Sequence, residues 1–468
     1  MFTTPMRSIG IKGLIFAALL LTYASANAGN TREMSFYQAV KIAQKNDPWL
    51  IASQHKQQSL ESLSHAVNTQ PDPKMSFAFA NLPTDGFDFG QEGMTQFKVG
   101  ISQMFARGDS LTIKNKQLQL ASQQHPLQRQ DRKNNLAVTV GSLWLDLYRV
   151  QQSIILINEN RSLFEQLAQV AEANYSSALG KTRQQDIVRA QLELTRLEDK
   201  LNQLQLEQNR YQGMLARWLS DLSLTANKPI AQEGNNDVVN DLFNAKLQLT
   251  VSEKLPTLEL LKPNIVFAPQ LKAQQLAAIF SKHPSVKAMD KKIASTRKGV
   301  DLAEQKYQPQ WGVNASYGYR DDDPMGNSRA DLFSVALMFD VPLSSKNRLD
   351  NEVKSAISQT QAIKTEKLLL LRQLISRFAS AKGRLLRLQE RQDLYIDRLL
   401  PQISDQAQAS LTAYTNDDGD FSEVVRARIA QLNSQIDYLA INVKQQQVIL
   451  EINYLFAGSS LNQSAGEQ

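Results

Sequence analysis

Four stretches of the chain alternate apolar with small or polar residues at a period of two. From Lys74 to Leu82, Met75, Phe77 and Phe79 oppose Ser76, Ala78 and Ala80; from Gln96 to Phe105, Phe97, Val99 and Ile101 oppose Lys98, Gly100 and Ser102. Trp311, Val313, Ala315, Tyr317 and Tyr319 alternate with Gly312, Asn314, Ser316 and Gly318, and Phe333, Val335, Leu337, Phe339 and Val341 with smaller or polar neighbours. Successive side chains of a strand point to opposite faces, so each stretch predicts a strand of about ten residues with one aromatic-rich face and one small or polar face. Such strands suit a β-barrel in a lipid bilayer, although for any one of them a half-buried hairpin on a soluble core reads the same way.

Between the strands the period changes. From Leu111 to Leu179 and from Lys346 to Tyr414 the sequence reads as helix for about 69 residues, each run roughly 100 Å long at 1.5 Å per residue. Leu136, Val140, Leu143, Leu147, Val150, Ile154 and Ile157 step by fours and threes, as do Ile187, Ala190, Leu194, Leu197, Leu201 and Leu204. A seven-residue apolar repeat predicts helices packed side by side with knobs in holes. Pro126 and Pro401 interrupt the runs, and a kink or a break is expected near each.

The two sets of elements repeat. Asn46-Asp47-Pro48 and Lys282-His283-Pro284 are separated by 236 residues, as are Pro73 and Pro309, and Gly100-Ile101 and Ala336-Leu337. DIVRAQLEL from Asp186 returns as EVVRARIAQ from Glu423, displaced by 237. Agreement at several landmarks predicts a tandem duplication. The expected organisation is a first repeat at 29–220, an irregular linker at 221–270, a second repeat at 271–457 and a polar tail at 458–468. In each repeat a long helix ends near a tyrosine, Tyr175 or Tyr414, turns through glycine, and restarts at an acid, Asp186 or Glu423, whose charge suits the positive end of a helix dipole. Each copy is thus the tip of a helical hairpin.

Composition narrows the setting. Arg7 and Lys12, an apolar run from Gly13 to Leu21 and Ala26-Asn27-Ala28 make residues 1–28 a secretory signal peptide. Its removal leaves 50 Lys and Arg against 46 Asp and Glu, a mature charge of +4 spread along the chain; no basic stripe points to nucleic acid. With no cysteine, an exported chain relies on packing or assembly, and a lipid-anchored lipoprotein is excluded. His55, His65, His125 and His283 show no metal-ligand spacing and are expected as surface or helix-packing residues. Gly180-Lys181-Thr182 imitates the end of a phosphate loop, but Tyr175 occupies the first glycine position and no strand precedes it. Asn416-Asp417-Asp418-Gly419-Asp420 lacks the ligand spacing of a calcium loop and reads most simply as a solvated turn. No catalytic, cofactor or metal site is expected.

Four strands cannot close a barrel, and an open sheet edge in lipid leaves backbone groups unpaired, so a barrel has to be shared; three copies give twelve strands. With Asn46-Asp47-Pro48, GISQMFARGDSL (Gly100 to Leu111), FDVPLSSKNRL (Phe339 to Leu349) and both tip motifs, the chain resembles the TolC-like outer-membrane channels over nearly its whole mature length. Leu82 to Leu111 and Leu179 to Asp199 most resemble the branch that serves heavy-metal efflux. Ala106 departs from the pattern, standing where a proline is expected, as at Pro342 in the second copy.

The resemblance implies a mainly α chain with a small transmembrane β part: a trimeric twelve-stranded barrel in the outer membrane of a Gram-negative bacterium, continued by a long α-helical barrel through the periplasm. It implies a passive conduit working with a periplasmic adaptor (membrane fusion) protein and an inner-membrane pump of the proton-driven resistance-nodulation-division type, with metal cations the preferred cargo over drugs or a polypeptide. It also implies a gate at the second tip, here Tyr414, Asp417, Asp418, Asp420 and Glu423, with Arg426 where the family often has another acid. The first tip, Leu179, Gly180, Lys181, Thr182, Arg183 and Asp186, is the expected adaptor contact. The rival reading is a soluble periplasmic coiled-coil adaptor or structural protein, which the duplication disfavours.

Overall fold

The computed structural model describes residues 33–176, 184–219, 250–269, 271–342, 345–416 and 419–458. The signal peptide assigned to 1–28, most of the linker assigned to 221–270 and the tail beyond Gly458 lie outside them. The described residues fall into two compact units, one within Met1–Ile42 and Leu143–Pro256 and the other within Ala43–Ser142 and Thr257–Gln468.

The described elements, in chain order, begin with helices α1 (Phe36–Asn46) and α2 (Pro48–Ala66), strands β1 (Lys74–Ala80) and β2 (Gln96–Met104), and helices α3 (Ser110–Ser122), α4 (Gln124–Ser176) and α5 (Gln184–Leu219). Short helices α6 (Pro263–Val266) and α7 (Ala273–Phe280) lead to α8 (Pro284–Glu304), strands β3 (Gln310–Tyr319) and β4 (Leu332–Asp340), and helices α9 (Lys346–Leu394), α10 (Leu400–Thr415) and α11 (Phe421–Leu455).

The four strands form one antiparallel sheet in the order β1-β2-β3-β4. Its register puts Phe77, Val99, Tyr317 and Phe333 in one row and Ser76, Gly100, Ser316 and Ser334 in the next. Residues directly opposite share a face, so the alternation read along each strand becomes two continuous surfaces, one apolar and one small or polar. The apolar surface is uncovered: Phe77 and Phe333 are 66% and 71% exposed, and Met75, Val335, Leu337 and Phe339 are exposed as well. Aromatic contacts gather at both ends of the strands, Phe105 on Trp311 at one end (ring centroids 4.2 Å apart) and Phe79 on Phe97 at the other (5.1 Å). Between them lie Val99, Ile101, Val313 and Val335.

The helices bury the stripes that the heptad spacing marks. In the first unit Leu147, Val150, Ile157, Ala190, Leu197, Leu201 and Leu204 are buried, as is Trp144, whose indole donates to the Met34 carbonyl at 3.0 Å. In the second, Leu374, Phe378, Ala381, Leu385 and Leu388 form a stripe on α9 that packs with Ile441, Val448, Ile452 and Leu455 of α11. Phe280, Phe378 and Phe456 meet there at centroid distances of 5.5–5.8 Å. No described helix is long and apolar enough to cross a membrane.

The two prolines act differently. At Pro126 the helical run breaks: α3 ends at Ser122 and α4 starts at Gln124, so the ring sits in a first turn, where its missing N–H is not needed. At Pro401 the helix continues through a π turn at Tyr395–Leu399, in which the Leu400 N–H bonds the Tyr395 carbonyl five residues back. The wider turn precedes the point where proline withdraws a donor from the ladder.

Ala106 has a local explanation. Its N–H donates to Gln70 Oε1 at 3.2 Å, a bond that proline could not make. The turn into α3 is instead made by Gly108 at φ +44°, a backbone conformation costly for other residues. Arg107 ties this corner to the second copy through an ion pair with Asp340 and a hydrogen bond to the Gln308 carbonyl.

Candidate functional site

The second tip joins α10 to α11. Gly419 packs so closely against the end of α10 that a Cβ would lie 2.7 Å from the Tyr414 nitrogen, which reserves the position for glycine. Asp420 then caps α11, its Oδ1 accepting the Ser422 N–H at 3.0 Å. The sequence reading placed the restart at Glu423; the cap lies three residues earlier, and Glu423 occupies the first turn, where a carboxylate still meets the positive helix end.

Immediately after the cap the tip separates its inner and outer faces. Phe421 is 2% exposed and meets the Tyr414 ring edge to face at 5.5 Å, and Ser422, Val424, Val425 and Ala427 are buried with it. Glu423 and Arg426, one turn apart, point outward. Arg426 donates back to the Ser422 carbonyl and hydroxyl at 3.3 Å, which leaves the Glu423 carboxylate without an ion pair among the described residues. Of the six expected gate residues, Tyr414, Asp420, Glu423 and Arg426 are thus gathered at one hairpin end; Asp417 and Asp418 lie outside the described residues.

Of the first tip, Leu179, Gly180, Lys181, Thr182 and Arg183 lie outside the described residues. Asp186 is in the first turn of α5 and only 6% exposed, whereas its counterpart Glu423 faces out. The motifs match in sequence, but their acids do not occupy equivalent surroundings.

His283, expected among ordinary surface or packing residues, is 1% exposed and caps α8. Its tandem counterpart, Asp47, does the same for α2. The clue was the shared Xaa-Pro spacing, since proline favours the first position of a helix and so marks the preceding residue as the cap. Among the described residues no cluster of His, Asp and Glu could hold a metal ion.

No family model and no curated protein matches the chain. Solved structures do. A structure of CusC, described in terms of folding and transmembrane channel formation, superposes with a TM-score of 0.67 at 13% identity, covering 91% of this chain and 92% of that one. The Campylobacter jejuni CmeC outer membrane channel gives 0.68 at 11% identity over 90% and 85%. The open state of the Neisseria gonorrhoeae MtrE outer membrane channel gives 0.66 at 12% over 90% and 88%. The chain has the fold of the TolC-like outer-membrane channels. In that channel fold the two-faced sheet and the helical hairpins account for nearly the whole described chain, as the sequence resemblance implied.

Proposed function

We propose that this chain is the outer-membrane component of a tripartite efflux system, a passive conduit assembled from three copies. The observation that carries the proposal is the sheet: an uncovered aromatic-rich face, aromatic clusters at both strand ends, and two open edges on β1 and β4. In water such a face is an aggregation hazard, and in lipid such edges are intolerable. Three copies joined edge to edge would satisfy both conditions, with the apolar face in the bilayer and the polar face lining a lumen.

The finer reading follows from the tips. Three copies of Asp417, Asp418, Asp420 and Glu423 around an aperture make a carboxylate ring, and such rings favour cations. Together with the resemblance of Leu82 to Leu111 to the heavy-metal branch, this supports metal cations as cargo. Leu179 to Arg183 would meet the periplasmic adaptor, and a proton-driven inner-membrane pump would supply the energy.

The mass of the detergent-extracted particle from outer membranes tests the assembly: a mass near three protomers is expected, and a soluble monomer would sink the proposal. In planar bilayers, neutralising the tip (Asp417→Asn, Asp418→Asn, Asp420→Asn, Glu423→Gln) should lower cation-over-anion permeability several-fold, on the order expected for a charged constriction. Unchanged selectivity would remove the tip as its determinant.

A further inference from the structure

The polar face of the sheet is not neutral. The sequence alone places Lys74 and Lys98 at small or polar positions, and the register puts both on the face opposite the aromatic one: Lys74 stands beside Ser102, and Lys98 beside Ala78 and Gly318. These two rows are four residues apart on β2, roughly 13 Å at the rise of an antiparallel strand. The only strand carboxylate on this face, Asp340, is held by Arg107. Neither lysine has an ion pair with a described residue; Lys74 is exposed and Lys98 half-buried.

We propose that Lys74 and Lys98 give the barrel section of the conduit a positive lumen that concentrates anions, opposite in sign to the acidic tip. The inference rests on the shared-barrel reading above. Three copies would line the lumen with two lysine rings and no uncompensated strand acid, and lipid surrounding the barrel would focus that field inward. A cation admitted through the tip then meets no site in the barrel on which to dwell. Conduction needs binding weak enough for the ion to leave, and a barrel without cation sites meets that condition.

A thiol placed in the barrel reads its potential directly and independently of the tip. The chain has no cysteine, so Ser334→Cys, one row from Lys98 on the polar face, introduces a single thiol. Its reaction rates with anionic sulfonatoethyl and cationic trimethylammonioethyl methanethiosulfonate are compared with those of a small free thiol in low salt. The anionic reagent should be favoured, and Lys74→Gln with Lys98→Gln should reduce the ratio about sevenfold, as the loss of a potential of about one kT would; Lys98→Arg should keep it. An unchanged ratio on a three-copy particle would overturn the lysine inference while leaving the channel standing. Val335→Cys, on the aromatic face, should be inert; if it reacts as fast as Ser334→Cys, the barrel is not in lipid and both readings fall.

Discussion

The two Xaa-Pro helix starts do the same structural work with opposite chemistry. At α2, Asp47 accepts the Trp49 N–H at 3.2 Å through one carboxylate oxygen and binds Arg132 at 2.8 Å through the other. At α8, His283 Nδ1 faces the Ser285 N–H at 3.3 Å and the Ser285 hydroxyl at 2.7 Å, and Nε2 faces the Tyr454 carbonyl at 3.1 Å. Only the neutral imidazole carrying its proton on Nε2 can accept at the first site and donate at the second. The neighbours are adjacent on α4: Arg132 beside the acid, and Asp131, 3.8 Å away, beside the histidine. A carboxylate cap adds charge to the helix end and takes a cation for balance, whereas an imidazole cap functions only while uncharged.

Electrostatics at α8 follow from that requirement. Burial pushes the His283 pKa down, against an upward pull from Asp131 and the Tyr454 carbonyl; Arg377 adds to the downward side. The Tyr454 hydroxyl donates to Asp131 at 3.0 Å, and burial together with that carboxylate pushes the phenol well above its usual range. The four groups bring together α4, the start of α8, α9 and the end of α11.

Removing each cap separates the two designs. Asp47→Ala should have the largest effect, about 3 kcal/mol, because it deletes the cap and leaves Arg132 without its carboxylate; a thermal melt of the detergent-solubilised protein by circular dichroism should show a drop of several degrees. His283→Ala should cost about 2 kcal/mol, one part for the cap and one for the lost hydrogen bond to the Tyr454 carbonyl, which keeps its bond from the Ala457 N–H, and if its melt equals that of the parent, the imidazole is not capping. Acidification should produce the smallest change and affect α8. Because the folded pKa lies below the ordinary 6.5, the unfolded chain takes up the proton first. The His283 contribution is complete above that value and is lost as pH falls from it toward the folded pKa. Between pH 7 and pH 5 the parent should lose more stability than His283→Asn does, and parallel pH curves would show that this histidine does not titrate with folding.

Much of the architecture was legible because its signals are local. Alternation marked all four strands to within about two residues, since a strand needs only its own side chains to define two faces. Heptad spacing marked most of the buried positions of α4 and α5 for the same reason, although Ile154, Ile187 and Leu194 are only half-buried. Pro48 and Pro284 carried a signal for both caps that the sequence reading used only as a spacing landmark, and neither proline records the chemistry of the cap. The tip motifs showed where helices restart, but Asp420, not Glu423, provides the cap, because capping depends on backbone geometry that a motif does not contain.

What the sequence by itself determined is therefore the inventory: four two-faced strands, long helices with heptad stripes, helix restarts near Asp186 and Glu423 and the punctuation between them, all encoded over spans of a few turns. Tertiary structure decided how distant parts combine. It joined β2 to β3 across more than 200 residues, turned four separate alternations into one aromatic and one lysine-bearing surface, buried Asp186 while exposing Glu423, and set His283 against Asp131 and Tyr454. Register, burial and long-range partnership depend on which segments meet, and neither the period nor the spacing of residues along one segment records that.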